Sequence, residues 1–167
     1  MMRQFRNKIF VLLIIPLALM LAEPKIINVG DKAKSITLFR LNDHTYFRTK
    51  DLLGKKHIVI SFFATWCGPC TKELPYLIQL SEELSEDDFE FVLIDLKEKQ
   101  DKVQSYVDKM KIPFQIILDK YGRTFESYGG ESLPLVVVID KDGMISYYHT
   151  GYVDGDEIIL KKHLESL

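Results

Sequence analysis

Cysteine is almost absent from this sequence, with two in 167 residues. A structural zinc takes four ligands, usually from a second cysteine pair or paired histidines. There is no third cysteine, and His44, His57, His149 and His163 stand apart in the chain. No metal or cofactor is therefore expected. An excess of one charge is also missing: 22 Lys and Arg face 24 Asp and Glu, a formal net charge of −2. Without a basic stripe the chain carries no electrostatic footprint for nucleic acid. Repeats and Gly/Ser- or Pro-rich linkers are missing too, so the length fits one ordinary domain. Hydrophobic residues make up 47% and aromatics 11%, enough for a real core.

The first residues differ in kind from the rest. Arg3, Arg6 and Lys8 form a positive flank, and Ile9 to Ala22 is uncharged and almost wholly apolar, broken only by Pro16. The run is short for a membrane span and long enough for the core of a secretory signal. Ala22 suits the position before a cleavage site, although Met20 is larger than such sites prefer. No cysteine follows the run, which excludes a lipoprotein anchor. Residues 1–22 are expected to be a signal peptide or an N-terminal membrane anchor, and 23–167 the working domain. Either way the domain is placed outside the cytoplasm, where unpaired thiols tend to oxidise.

The two cysteines stand in Trp66-Cys67-Gly68-Pro69-Cys70. An apolar run, Ile58 to Ala64, precedes them, and a helical pattern starting near Thr71 follows. A strand that ends in CxxC and runs into a helix is the layout of a thiol–disulfide redox site. The helix N-terminus brings backbone N–H groups and the positive end of the dipole to the first sulfur, favouring its thiolate. That thiolate is the nucleophile of disulfide exchange. A purely structural bridge over so small a loop would restrict little unfolded-chain entropy.

Elsewhere the pattern is α/β. Ser35–Leu38 and Thr45–Phe47 are short extended runs joined through Leu41-Asn42-Asp43-His44, and Asp51–Lys56 reads as a helical turn ended by Gly54. Ile58–Ala64 and Phe89–Leu96 read as buried central strands. The helix after Cys70 carries Leu74, Leu77, Ile78 and Leu84 on one stripe, with Pro75 expected to kink it. Val103, Tyr106, Val107 and Met110 predict a helix over Gln100–Met110, and Phe114–Leu118 a short strand. Leu135–Asp140 and Met144–His149 flank the hairpin signal Lys141-Asp142-Gly143. Asp154 and Glu157 have capping-box spacing before a last helix with Leu160, Leu164 and Leu167. Strands alternating with helices predict a mixed sheet covered by helices on both faces. The acidic run Glu82–Asp88 and the mixed-charge run Lys97–Lys102 read as solvated surface, and His149 as a surface or satisfied histidine.

Four segments together resemble the thioredoxin fold, and within it the TlpA/ResA-type exported thiol–disulfide oxidoreductases. They are Val29-Gly30-Asp31-Lys32-Ala33; Ser61-Phe62-Phe63-Ala64-Thr65-Trp66-Cys67-Gly68-Pro69-Cys70-Thr71-Lys72-Glu73-Leu74-Pro75; Tyr128-Gly129 with Leu133-Pro134 leading into Leu135–Asp140; and Asp142-Gly143. The strand and helix between Phe89 and Leu118 match the insert that distinguishes this branch from plain thioredoxin. The resemblance implies an N-terminal hairpin, an active-site cis-proline at Pro134, and a partner groove formed by Trp66, Leu133 and Pro134. It also implies a buried carboxyl at Glu73. Thioredoxin's own buried Asp would fall at Ser61, the branch's usual Thr at Leu133, and a usual Pro at Lys34. The Leu133 change touches the partner groove and leaves the chemistry intact.

In this frame Cys67, at the exposed start of the helix, is the attacking thiolate, and Cys70, one turn in and buried, resolves the mixed disulfide. Glu73 lies one turn beyond Cys70. Buried, it would exchange protons with Cys70; on a polar face it would be a solvated carboxylate, and spacing alone does not choose. Trp66 is either a contact surface for substrate or packing against the helix. The family's usual task is reduction of disulfides in partner proteins such as apocytochrome c, with electrons from a membrane carrier of the DsbD/CcdA type. A monomer is expected. Two other roles of the fold remain. A copper chaperone like the Sco proteins would want CxxxC and a partner histidine, with His149 the candidate. A thiol peroxidase would want Thr where Ala64 stands.

Overall fold

The computed structural model describes residues 27–43 and 45–167. The expected signal peptide or anchor at 1–22, and His44 of the first turn, lie outside the described residues.

The centre of the sheet is β3 (His57–Phe63), a strand in which every residue is buried. It pairs in parallel with β4 (Phe89–Leu96) and antiparallel with β6 (Leu135–Ile139). β4 pairs in parallel with β5 (Gln115–Asp119). On one flank β1 (Thr37–Arg40) runs antiparallel to β5 and carries its hairpin partner β2 (Tyr46–Arg48). On the other, β6 carries β7 (Ile145–Thr150), antiparallel. The order is β2-β1-β5-β4-β3-β6-β7.

Period-2 alternation divides β3 between two cores. Val59 and Phe63 pack with Leu74, Leu77 and Leu80 of α1 (Gly68–Glu83), Val103 and Val107 of α2 (Gln100–Met110), and Leu160 and Leu164 of α4 (Asp156–Leu164). Ile58, Ile60 and Phe62 pack on the opposite face with Ile36, Phe47, Tyr128 and Phe125 of α3 (Arg123–Ser127). Helices therefore lie on both faces, three on one and a short one on the other. This is the mixed α/β sheet the sequence predicts.

Three local features differ from expectation. α1 begins at Gly68 rather than near Thr71, because Cys67 serves as its N-cap and Pro69 sits in the first turn, where a missing N–H costs nothing. α3 has no predicted counterpart. Its cap comes from Asp119 at the end of β5, whose Oδ2 accepts the Phe125 N–H at 2.9 Å, so no capping residue directly precedes the helix. The capping box at Asp154 is not made: α4 starts after Gly155, at φ 108°. Glu157 accepts the Gly155 N–H and Asp156 accepts the Val153 N–H, while Leu167 lies past the helix end.

Candidate active site: a cysteine pair over a buried carboxyl

The parallel strands β3, β4 and β5 end at the same edge of the sheet where the antiparallel β6 begins. Four connections meet there: Ala64–Cys67, Lys97–Lys99, Lys120–Gly122 and Gly129–Pro134. In α/β sheets the carboxyl ends of parallel strands are the usual place for a site.

Cys67 and Cys70 are joined in a disulfide, with Cα atoms 5.3 Å apart. Cys67 Sγ also accepts the Cys70 backbone N–H at 3.2 Å. The first sulfur thus sits at the open N-terminus of α1, where unpaired N–H groups and the dipole stabilise negative charge. The expected exposure of Cys67 is not found: it is 4% exposed, the same as Cys70. Trp66, Pro69 and residues Glu131, Ser132 and Leu133 line the same groove as Cys67. What separates the two cysteines is what each faces. Cys67 lines an open groove of about 380 Å³ with Trp66, Leu96, Phe125 and Leu133. Cys70 instead borders a small space of about 10 Å³ with Ser61, Glu73 and Tyr106.

Glu73 is buried, 6% exposed. It lies on the α1 face that packs against β3, opposite Ser61, whose hydroxyl donates to Oε2 at 2.8 Å. Burial pushes its carboxyl from 4.5 up to about 7, with the Ser61 hydroxyl pulling back and the Asp156 charge adding to the rise. Of the two surroundings the spacing left open for Glu73, the structure has the buried one. Glu73 also borders a second small space walled by Tyr147, His149 and Asp156. His149 Nε2 stands 2.9 Å from Asp156 Oδ2, so this histidine is satisfied at the surface.

Trp66 is 68% exposed, beside the groove. The Leu133–Pro134 bond is cis. Leu133 lines the groove, and Pro134, the next residue, is buried. A larger hollow of about 570 Å³ lies among Phe39, Lys99, Leu118 and Lys120, on the other side of Glu98. Among the described residues no group of three or more His, Cys, Asp and Glu is arranged to hold a metal.

The mixed-charge run Lys97–Lys102 is not simply solvated. The Glu98 side chain is 6% exposed and accepts both the backbone N–H and the hydroxyl of Thr65. It comes from a connection, has no periodic pattern, and is drawn inward by donors over thirty positions earlier, so nothing in its own neighbourhood marks it.

The sequence profile described as Redoxin matches residues 28–164. The chain belongs to the redoxin family. This redoxin is 29% identical over 145 residues to the thiol-disulfide oxidoreductase ResA of Geobacillus thermodenitrificans, covering 87% of this chain and 81% of the relative. It is 31% identical over 124 residues to the ResA of Bacillus anthracis, covering 74% and 70%. Among solved structures it superposes on a thiol:disulfide interchange protein of the thioredoxin family from Chlorobium tepidum. The TM-score is 0.69 and the identity 26%, covering 84% of this chain and 97% of the other. StoA from Bacillus subtilis shares the fold at TM-score 0.65 and 21% identity, covering 78% and 96%. These relatives, the fold and the Cys67–Cys70 pair make this redoxin a thiol–disulfide oxidoreductase of the ResA type.

Proposed function

We propose that the protein is an extracytoplasmic reductase of disulfides in partner proteins, apocytochrome c being the kind of substrate that fits. Residues 1–22 serve as its signal or anchor and 23–167 as its working domain. The observation that carries this reading is Glu73, neutral up to about pH 7, buried beside Cys70 and one helical turn from it. In the reduced protein the Cys67 thiolate attacks one sulfur of the partner's disulfide and expels the other as a thiolate. Glu73, in the ionised form that a carboxyl titrating at about 7 can reach, then takes the Cys70 proton, and the Cys70 thiolate attacks Cys67 Sγ. The second partner thiolate leaves, two electrons have passed to the partner, and the Cys67–Cys70 disulfide remains. A membrane carrier of the DsbD/CcdA type would restore the dithiol. The groove walled by Trp66 and Leu133 seats the partner's extended chain.

The direction follows from charge. An oxidant needs its reduced form stabilised by a strongly depressed thiolate pKa. Here Lys72 is the one cation in the run Thr65–Leu74. Gly68-Pro69 is also the dipeptide of thioredoxin, whose potential is about −270 mV against about −120 mV for DsbA. Equilibration in glutathione buffers tests this. The pair should be fully oxidised in a buffer poised near about −150 mV. A pair still reduced there belongs to an oxidant, and the reductase proposal falls while the dithiol chemistry stands.

A further inference from the structure

Behind the loop that carries the redox pair stand two more carboxyls, which the exchange chemistry does not use. Glu98 follows the end of β4, just past Lys97, whose φ of 62° turns the chain sharply. Its Oε2 accepts the Thr65 backbone N–H at 2.5 Å, and its Oε1 accepts the Thr65 hydroxyl at 2.8 Å. The Lys102 ammonium, one turn into α2, closes the set on Oε1. Thr65 is held at backbone and side chain by one group, and the next two residues are Trp66 and Cys67.

Asp95, in β4, is fully buried. Its Oδ2 accepts the Glu98 backbone N–H at 3.1 Å, and its Oδ1 has no partner. A buried carboxylate oxygen left unpaired costs most when it is charged. Burial, first, and the Glu98 charge push the Asp95 carboxyl from 3.8 up to about 7, with the Glu98 N–H pulling back. Burial works against charge on Glu98 too, but the Lys102 ammonium and the two Thr65 donors outweigh it and hold that carboxyl below its usual range. The charges that bear on Asp95 are Glu98 and Lys102; its register neighbours on β3 and β5 are the apolar Phe63 and Leu118.

We propose that Glu98 is a positioning residue of the redox site, an anionic clamp on Thr65 that fixes Trp66 and Cys67, and that Asp95 keeps the clamp closed by carrying the proton of the pair. Each carboxyl has one task. Glu98 must be charged to hold three donors, and Asp95 must be neutral so that a second charge does not oppose the first. Above about pH 7 Asp95 ionises beside Glu98 and the clamp loosens. The proposal rests on Cys67 being the attacking thiol.

The test uses the full chain with Glu98→Ala, Glu98→Gln and Asp95→Asn, and reads the Cys67 thiol titration, the exchange rate with glutathione disulfide from pH 6 to 8.5, and the melting temperature. Glu98→Ala should stay folded, shift the Cys67 titration and slow exchange about tenfold through misplacement of the attacking sulfur. Glu98→Gln, which keeps an acceptor for Thr65, should recover part of that loss. Asp95→Asn should match the wild-type rate at pH 6 and exceed it about two- to threefold at pH 8.5, because its side chain cannot ionise. An unchanged Cys67 titration and rate in Glu98→Ala overturns the clamp. If that variant does not fold, an Asp95→Asn profile superimposable on wild type at every pH overturns the proposal alone. First labelling of Cys70 would overturn the assignment of roles and with it the clamp's part in exchange, an outcome told apart from failure of the clamp itself by the Cys67 titration.

Discussion

Glu73→Gln isolates the cost of charging a carboxyl under the cysteine pair. In the folded protein Glu73 holds its proton to about pH 7, against 4.5 for an ordinary glutamate, chiefly through burial. Between those values the native state binds a proton that the unfolded chain has released, so stability must fall as pH rises. The slope is about 1.4 kcal/mol per pH unit, and the full cost of ionising Glu73 is about 3 kcal/mol. Glutamine keeps the shape and can still accept from the Ser61 hydroxyl, but it cannot ionise. Urea unfolding of the oxidised proteins from pH 4 to 9 reads this without titrating thiols. Wild-type stability minus mutant stability should be constant below about pH 4.5, decline by about 3 kcal/mol through pH 7, and level off above about pH 8. Asp95 titrates in the same window in both proteins, so the subtraction removes it. A flat difference, or one that rises with pH, would refute the argument that Glu73 is neutral in its site.

Three other outcomes follow from the structure. Mild alkylation of the reduced protein should label Cys67 before Cys70, since Cys67 lines a groove of about 380 Å³ and Cys70 a space of only about 10 Å³. Cys70→Ser should then accumulate a mixed disulfide with a partner protein, visible on non-reducing gels. On the opposite face, Tyr128 is fully buried and its hydroxyl donates to the Lys34 carbonyl at 2.5 Å. Tyr128→Phe should cost about 1 kcal/mol of stability in urea and leave the exchange rate unchanged.

The elements with strong periodicity were legible in the sequence. β4 and α2 fall on their predicted residues, since a run dominated by Phe, Val, Leu and Ile marks the one and an i, i+3, i+4, i+7 stripe the other. The redox pair was legible because CxxC after a buried strand is a local signal. Glu73 needed the resemblance, as spacing leaves a helical carboxyl free to face either way. α3, Asp95 and Glu98 were not legible. Asp119 caps α3 from the preceding strand, and Glu98 meets Thr65 across 33 positions of chain. Such contacts exist only once β3, β4 and β5 lie side by side. The same holds for the groove beside Cys67, because the residues that line it come from distant parts of the chain.

At the end of the sheet away from the cysteines, three connections are stitched to one another. The Gly54 N–H reaches the Lys141 carbonyl, the His57 N–H reaches the Asp88 carbonyl, and Lys141 Nζ pairs with Asp88 Oδ1 at 2.6 Å. The whole length of the strands separates this pole from the groove. It offers an experimental handle: a fluorophore, spin label or surface tether attached at Asp142 or Glu86 would report on or immobilise the enzyme without shadowing Cys67. Single-molecule capture of a mixed disulfide, with the protein fixed by this pole and the partner arriving from solution, is a geometry the fold already supplies.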